Sequence, residues 1–363
     1  MPRLEPRPGV LDIVGHMADL PNLDGVENPR LLASNECALG PSPMAVEAAR
    51  AAASRLDLYP EEEQDKLRTA IARRFGLDPE RIVCGHGSDD LLARVARAYL
   101  RPGDELVYSA RGYQKIPKYA LCESARPVPA PDRDLLADVD AILAAVGPRT
   151  RIVMLANPDN PSGCHLPGAE VRRLHTGLPD DVLLVLDSAY AEYARADDYE
   201  VPDRLVEKTQ NVVMTRTFSK IFGLAGARLG WAYGPPPVID VLGRVGVTYP
   251  VSAPSAAAGL AALEDRAFTE DVRGHNNRWL DRLPNELHAL GLYVYPSETN
   301  FVLVRFDEPG KSAAHAYGAL VARGIVPRCF TSRDFADHIR ITIGPGEDLE
   351  ALVAALRDFF DSG

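Results

Sequence analysis

The strongest constraint on the fold is an alternation of short apolar runs with helical patterns between residues 81 and 218. Several of these runs are apolar throughout, which is typical of strands that helices cover on both faces. Such an alternation predicts a mainly parallel α/β sheet. The predicted strands are RIVCG, DELVYSAR, RIVMLANP, VLLVLDSAY and NVVMTRTF, at residues 81–85, 104–111, 151–158, 182–190 and 211–218.

The pattern changes after about residue 250. A helical stretch, SAPSAAAGLAALED, is followed by the strand-like runs GLYVYPSETNFVLVRF and HIRITIG, at residues 252–265, 291–306 and 338–344. Helices followed by grouped strands predict a smaller α+β lobe. The proline-rich start of the chain predicts an extended N-terminal arm.

Composition excludes several classes of function. A net charge of -11 and a pI near 5.3 argue against binding to a nucleic-acid backbone. The sequence has no apolar run long enough to predict a membrane span. Its five cysteines are scattered and form no C-x-x-C pair, which favours reduced thiols in a cytoplasm over a disulfide framework or a zinc site.

A single lysine, Lys220, follows the last predicted strand of the α/β region. A lysine in such a position commonly reaches into solvent along the protein surface. The hydroxyls of Thr217 and Ser219, the guanidinium of Arg228 and several nearby glycines favour another interpretation, because together they suit a phosphate. A lysine beside a phosphate anchor indicates a phosphorylated carbonyl cofactor held as a Schiff base.

Polar residues also follow the other predicted strands, at the sheet edge where ligands bind in parallel α/β folds. Ser88 and Asp89 open a helix, which is either a phosphate site or a simple N-cap. Asn160 lies in the turn-rich segment NPDNPSG, which could equally be a loop without chemistry. Asp187 either caps the next helix or pairs with a buried cation such as a pyridinium nitrogen.

These motifs resemble those of the pyridoxal-phosphate-dependent aminotransferases of fold type I, and among them the histidinol-phosphate aminotransferase family. The resemblance runs from LASNECALGPSP to HIRITIG, and TFSKIFGLAGARLGW is its most specific part. It implies a large domain with a mainly parallel seven-stranded sheet, a smaller α+β C-terminal domain and an extended arm. The implied boundaries are 1–38 for the arm, packing on the small domain or a partner subunit, 39–256 for the large domain and 257–363 for the small domain.

The resemblance assigns a cofactor role to each matching residue. Lys220 is the Schiff-base lysine and proton shuttle, Asp187 pairs with the pyridine nitrogen, and Asn160 and Tyr190 hydrogen-bond the ring hydroxyl. Tyr113 stacks on the ring. The residues that hold the phosphate are Ser88, Asp89, Thr217, Ser219 and Arg228, with Tyr59 contributed by the other subunit of a homodimer that shares its active sites.

The substrate residues implied by the resemblance are fewer. Arg340 grips the substrate carboxylate, with Arg328 as the alternative, and Asn35 lies near that carboxylate. His16 occupies a substrate-contact position where the family often has a tyrosine. The segment RGYQK, with Arg111 and Lys115, also departs from the family pattern, and its basic residues suit a phosphate, a second carboxylate or ordinary surface charge.

The implied activity is transfer of an amino group from histidinol phosphate, or a related phosphorylated or aromatic amine, to 2-oxoglutarate in histidine biosynthesis. No metal is expected, and the expected location is the cytoplasm. A decarboxylase or oxidase on the same site remains an alternative because it would need the same cofactor residues. A non-catalytic regulator is a third possibility, although retention of Lys220 and the lack of a basic DNA-binding segment argue against it.

Overall fold

A computed structural model describes residues 5–13, residue 23 and residues 28–361 of the chain. The helices are α1 (Pro43–Ala53), α2 (Asp65–Phe75), α3 (Ser88–Tyr99), α4 (Ile116–Cys122), α5 (Val139–Ala145), α6 (Gly168–Gly177), α7 (Asp203–Lys208), α8 (Pro236–Arg244), α9 (Ala253–Glu264), α10 (Arg266–His288), α11 (Ala313–Val321) and α12 (Gly346–Asp361). The strands are β1 (Arg30–Leu32), β2 (Ile82–Gly85), β3 (Glu105–Ser109), β4 (Arg126–Ala130), β5 (Asp132–Arg133), β6 (Leu136–Ala137), β7 (Thr150–Ala156), β8 (Leu183–Asp187), β9 (Val212–Thr217), β10 (Gly230–Tyr233), β11 (Tyr293–Val294), β12 (Phe301–Arg305), β13 (Ile325–Cys329) and β14 (His338–Thr342).

The larger sheet has seven strands in the order β2-β10-β9-β8-β7-β3-β4. Its only antiparallel member is β10, which pairs with β2 on one side and with β9 on the other. The parallel strands β9, β8, β7 and β3 end at the same edge of the sheet. β8 is buried over its whole length, as expected for a strand covered on both faces. The predicted α/β fold with a mainly parallel seven-stranded sheet is therefore confirmed.

Helix α3 shows how the sequence forms the elements that carry the site. Leu91, Leu92 and Val95 are fully buried and recur at helical spacing, so one face of the helix packs onto the sheet. The helix begins after Gly87, whose φ of 85° lies in the left-handed region that favours glycine. The turn between β2 and α3 therefore directs the helix N-terminus towards the carboxyl edge of the sheet.

A second sheet forms the smaller α+β part, in the order β1-β13-β14-β12-β11. It packs on α10, α11 and α12 through a separate apolar core that includes Leu283, Val302, Ile339 and Leu352. Strand β1, which belongs to the N-terminal segment, pairs in parallel with β13 and forms one edge of this sheet. The arm is thus joined to the smaller sheet by backbone hydrogen bonds.

Residues 5–13 run elsewhere, along α4 of the large α/β part. Arg7 forms an ion pair with Glu123, and the hydroxyl of Ser124 donates to the carbonyl of Pro8. The proposed division at residues 38/39 and 256/257 stays a prediction. Position 256 lies inside the continuous helix α9, which packs against α1 and α2.

Two strands of the larger sheet were not predicted from the sequence. β4 contains Pro127 and Pro129 and lies at the sheet edge, where missing N–H donors are tolerated. β10 has only four residues and opens with a glycine. In the described part of the chain no helix is long and apolar enough to cross a membrane.

Candidate active site

A cavity of about 400 Å³ opens at the carboxyl edge of the larger sheet, between it and the smaller sheet. This volume lies within the range of small-molecule binding sites. Of the residues predicted from the sequence, the cavity walls contain Asn35, Ser88, Asp89, Tyr113, Asn160, Asp187, Tyr190, Thr217, Ser219, Lys220, Arg228, Arg328 and Arg340. Residues scattered over more than 300 positions therefore meet in one site.

One end of the cavity combines a helix N-terminus with hydroxyls and a guanidinium. The Thr217 hydroxyl donates to Ser219 Oγ at 3.0 Å, and Arg228 Nη1 lies 3.4 Å from the same oxygen. A Cβ added to Gly87 would lie 2.6 Å from Arg228 Nη2, and one added to Gly230 would lie 2.5 Å from the backbone nitrogen of Ser88. Only glycine therefore permits this close approach of Arg228 and β10 to the start of α3, and the result suits a phosphate.

Asp187 lies at the end of β8, fully buried in the floor of the cavity. Thr215 is its register partner on β9 and donates a hydrogen bond from Oγ1 to Asp187 Oδ1 at 2.9 Å. Burial raises the pKa of Asp187 to about 7, although the hydrogen bond from Thr215 opposes the rise. A carboxylate with this environment gains most from a cationic N–H partner in the cavity.

Lys220 lies just beyond β9 with its ammonium inside the cavity. Its Nζ donates to the carbonyls of Ser34 and Asn35 at 3.2 and 3.0 Å. Burial lowers the pKa of Lys220 to about 7, and the positive charge of Arg340 contributes in the same direction. A lysine of this kind can act as nucleophile and base near neutral pH.

Tyr190 connects the floor of the cavity to the arm. Its hydroxyl accepts a hydrogen bond from Asn35 Nδ2 at 3.0 Å, and Asn160 Nδ2 lies 3.5 Å away. The backbone of Asn35 has a φ of 55°, and its side chain also contacts Thr342 of β14. The Asn35 side chain therefore holds the arm to both halves of the cavity.

Two arginines enter the cavity from the smaller sheet. Arg328 on β13 and Arg340 on β14 are direct cross-strand partners. Arg340 Nη1 donates to Asn160 Oδ1 at 2.5 Å, and Nη2 donates to the carbonyl of Ala33 at 2.6 Å. Its buried Nε has no hydrogen-bond partner among the residues that the structure describes. Burial lowers the pKa of Arg340 to about 10, and the charge of Arg328 adds to this effect. Two like charges placed side by side suit an anionic ligand.

Tyr59 is the predicted residue that the structure describes outside this cavity. Tyr59 is 82% exposed and stacks on Tyr249, with ring centroids 4.6 Å apart. His16 lies outside the described residues. No group of three or more His, Cys, Asp or Glu side chains in the described ranges is placed to hold a metal ion.

Sequence reasoning missed several residues that line the cavity or contact its lining. Thr215 was not singled out because its contact with Asp187 depends on the register of two strands. Glu36 and Phe330 line the cavity beside Asn35 and Arg328. Glu36 directly follows Asn35 and Phe330 lies two positions after Arg328, and this proximity in sequence is the signal that could have found them.

The cavity, the buried lysine and the mainly parallel sheet fit an enzyme with a lysine-bound carbonyl cofactor, and similarity to known proteins places the chain in the aminotransferase class. The family model for aminotransferase class I and II matches residues 28–356. The chain is 50% identical over 355 residues to histidinol-phosphate aminotransferase of Paramagnetospirillum magneticum, covering 98% of each chain. It is 49% identical to the protein of that name from Rhodospirillum centenum, again covering 98% of each.

A solved structure gives the same result. The histidinol-phosphate aminotransferase of Sinorhizobium meliloti, in complex with pyridoxal 5′-phosphate, matches with a TM-score of 0.85 and 34% identity, covering 92% of this chain and 91% of that one. The chain belongs to the class I and II aminotransferase family. The predictions of family, aminotransferase activity and a pyridoxal-phosphate cofactor are confirmed, and the decarboxylase, oxidase and regulator alternatives are not favoured.

The residues of the cavity fit this cofactor. The glycine-lined approach of Arg228 to the start of α3 provides a cradle for a phosphate. At the other end, the buried carboxylate of Asp187 offers an acceptor for a protonated ring nitrogen. Lys220 projects into the same cavity, where its amine can reach a carbonyl group.

Proposed function

We propose that this chain transfers the amino group of histidinol phosphate to 2-oxoglutarate, with pyridoxal phosphate bound at Lys220. The observation that carries the proposal is the pair Arg328 and Arg340, two guanidiniums on adjacent strands that line the cavity with Lys220. Glutamate carries a carboxylate on the carbon that bears its amine. Histidinol phosphate carries a phosphorylated hydroxymethyl group at the corresponding position, so one anion site would serve both substrates.

The cofactor contacts divide between the two ends of the cavity. The backbone N–H groups of Ser88 and Asp89 and the hydroxyls of Thr217 and Ser219 would bind the phosphate, with Arg228 as its counter-charge. Asp187 would accept a hydrogen bond from the ring nitrogen and keep it protonated. Asn160 and Tyr190 would bind the ring hydroxyl, and Tyr113 would cover one ring face. When bound, pyridoxal phosphate supplies an aldehyde that takes the amino group and a ring that withdraws electrons.

Lys220 has two tasks in this proposal. Its Nζ would hold the resting cofactor, and once a substrate amine had taken that place, the same nitrogen would move a proton from the substrate Cα. The carbonyls of Ser34 and Asn35 hold the free amine in place. A pKa of about 7 leaves a large share of the amine neutral at physiological pH, which base catalysis requires.

A spectral assay tests this function. Histidinol phosphate should convert the bound cofactor to its amine form, and 2-oxoglutarate should restore the aldehyde-form spectrum with release of one glutamate. Unphosphorylated histidinol serves as a matched control and should react far more weakly, because it lacks the anion that Arg328 and Arg340 bind. Carbon dioxide release without an acceptor, or oxygen consumption, would favour a decarboxylase or an oxidase instead.

We also propose a homodimer with shared active sites. Tyr59 is largely exposed, and so are the nearby apolar side chains of Leu56 and Leu58. Val247 is also 66% exposed and lies two residues from Tyr249, the stacking partner of Tyr59. An exposed apolar surface of this kind is typical of an interface. Through a two-fold axis, Tyr59 would reach the cofactor phosphate of the partner subunit.

Subunit mixing tests the shared site. Lys220→Ala subunits and Tyr59→Asp subunits should each be inactive alone, whereas a mixed dimer has one site that lacks both changes. Random exchange makes about half of the dimers mixed, so roughly a quarter of wild-type activity should return. Absence of recovery after verified exchange would show that Tyr59 does not serve the partner's site.

The cytoplasm is the proposed location. All five cysteines are free thiols, and Cys84 is fully buried. Free thiols in this number are typical of a reducing compartment. Localisation of a tagged full-length chain by cell fractionation tests the assignment.

A further inference from the structure

The loop that carries Tyr113 is fixed at both ends by carboxylates. At its start, Asp132 accepts a hydrogen bond from the backbone N–H of Arg111 at 2.6 Å and another from the Ser109 hydroxyl. At its end, Asp89 accepts hydrogen bonds from the Tyr113 hydroxyl at 3.0 Å and from Lys115 Nζ at 2.8 Å. The segment RGYQK is thereby tied to β5 on one side and to the first turn of α3 on the other.

Among the described residues, Asp89 has three side-chain hydrogen-bond partners. The third is the hydroxyl of Tyr119 on α4, 2.9 Å from Asp89 Oδ1. Burial opposes ionisation of Asp89, yet Lys115 and the two tyrosine hydroxyls together lower its pKa below the ordinary value. The carboxylate is therefore charged, and the ion pair with Lys115 persists at neutral pH.

We propose that the Asp89–Lys115 ion pair is a positioning unit that fixes the Tyr113 ring at the cofactor cavity and sets the charge that Lys220 experiences. The inference rests on the proposed roles of Tyr113 and Lys220. It assigns a role to Lys115, which lies in the segment RGYQK that departs from the family pattern. The proposed cofactor contacts do not explain a lysine at this position. Both members of the pair line the cavity that contains Lys220.

Lys220 senses charges from several elements. Positive charges face it from Arg340 on β14, Lys115 at the start of α4 and Arg228 before β10. Negative charges face it from Glu36 in the arm and Asp187 at the end of β8. The ring of Tyr190 lies 5.7 Å from its Nζ. Of these groups, only Lys115 is held by Asp89, the carboxylate that also binds the hydroxyl of Tyr113. The charge near Lys220 and the position of the Tyr113 ring are therefore coupled through Asp89.

Removing the charge of either member of the pair should shift the pKa of Lys220, in opposite directions for the two members. Lys115→Gln removes a positive charge and leaves Asp89 uncompensated, so the protonated form of Lys220 becomes more stable and its pKa rises. Asp89→Asn removes the negative charge and leaves Lys115 unpaired, so that pKa falls. The double variant restores neutrality and should lie close to wild type. Each single shift should be roughly 0.5–1 pH unit, as one charge beyond contact distance produces at an effective dielectric constant of about 20.

The experiment measures Lys220 directly in the cofactor-free protein. Limiting acetic anhydride is added at a series of pH values, and acetylation of the peptide that contains residue 220 is quantified by mass spectrometry. Lys118→Gln is the matched control, because it removes the same charge from an exposed lysine on α4. We expect an upward shift for Lys115→Gln, a downward shift for Asp89→Asn and none for Lys118→Gln. Because no substrate is present, the result does not depend on the identity of the amine.

A second measurement tests the positioning of Tyr113. Asp89→Ala removes the acceptor of the Tyr113 hydroxyl, so the affinity for pyridoxal phosphate should fall about 5- to 10-fold. Tyr119→Phe removes one donor to Asp89 but leaves the Tyr113 hydroxyl bonded to it. This second variant should therefore change the affinity less than about twofold. Shifts of the same sign in both charge variants, or equal losses of affinity in Asp89→Ala and Tyr119→Phe, would overturn the proposal. Thermal melting of each variant separates these outcomes from unfolding.

Discussion

The two halves of the cavity are built differently. On the side of the larger sheet, Asp187 and Thr217 end parallel strands, and Lys220 lies just beyond one of them. The Asp187 carboxylate is held by Thr215 of the same sheet and the Thr217 hydroxyl by the nearby Ser219, whereas the Lys220 amine is held by carbonyls of the arm. On the opposite side, Arg328 and Arg340 come from antiparallel strands of the smaller sheet, and Arg340 is held by the arm and by Asn160. The first half, in which we propose that the cofactor is held, is arranged mainly by one sheet, whereas the second depends on three parts of the chain meeting.

This difference suggests that the halves can be disabled separately. Changes in the larger-sheet half should abolish cofactor attachment or weaken it. Changes in the smaller-sheet half should weaken substrate binding and leave the cofactor in place. The following substitutions test that separation.

Lys220→Ala should have the largest effect. Without an amine at this position the cofactor cannot attach covalently and no base removes the Cα proton, so turnover should fall by several orders of magnitude. Within the described ranges, the Lys220 amine donates hydrogen bonds to carbonyls of the arm and to no other group, so the folded state should survive. Borohydride treatment of wild type should fix a pyridoxyl group on the peptide containing residue 220, and recovery of that group on another lysine would refute the assignment.

Arg340→Ala should raise the KM for glutamate by about 10- to 150-fold, because a carboxylate loses a charge-assisted contact worth roughly 1.5–3 kcal/mol. Arg305→Ala is the matched control, since Arg305 lies on the neighbouring strand β12, outside the cavity, and pairs with Asp307. The absorbance of the bound cofactor shows whether loss of Arg340 also disturbs its partner Asn160 and, through Asn160, Tyr190. If glutamate kinetics stay unchanged, the carboxylate is bound elsewhere, and Arg328→Ala becomes the decisive variant.

The same division explains how much the sequence could predict. Asp187 and Lys220 could be found because each directly follows an apolar run, and the carboxyl ends of parallel strands meet at one edge. The fold class followed from the same runs. Arg340 and Asn35 carried no such signal: the pairing of Arg328 with Arg340 depends on the register of β13 and β14, and Asn35 reaches Tyr190 only after β1 has joined the smaller sheet. Only resemblance to a family identified them.

The contacts that adjust the pKa values in the larger-sheet half of the cavity also could not be predicted, because they depend on strand register and on how separate connections meet. Thr215 lies opposite Asp187 because β8 and β9 pair in one particular alignment, which their apolar residues do not specify individually. Lys115 meets Asp89 across two separate strand-to-helix connections. Charge and hydroxyl groups near a site can be recognised in a sequence, but their partners cannot.

The pH dependence of cofactor capture should show a smaller effect. The folded pKa of Lys220 is about 7, lowered from its ordinary value mainly by burial, so the reactive neutral amine increases as pH rises through 7. Capture of pyridoxal phosphate by the cofactor-free protein should therefore accelerate about tenfold from pH 5 to 6 and level off above about pH 8. A rate that continues to rise towards pH 10 would contradict a lowered pKa.

Thr215→Val should have the smallest effect and tests the larger-sheet half alone. Thr215 is fully buried, and its hydroxyl donates to Asp187 Oδ1, so valine keeps the shape and removes one hydrogen bond to a charged acceptor. The pKa of Asp187 should rise further, since that bond opposes the effect of burial, and the ionised form that holds a protonated ring nitrogen becomes less populated. Such a bond contributes roughly 1 kcal/mol, so pyridoxal phosphate should bind about 3- to 10-fold more weakly, and the loss should grow as pH falls below 7. Thr215→Ser keeps the donor and serves as the control. Equal affinity for pyridoxal phosphate in the valine and serine variants would mean that Asp187 does not need this donor. A raised KM for glutamate at saturating cofactor would show that the two halves of the cavity cannot be disabled separately.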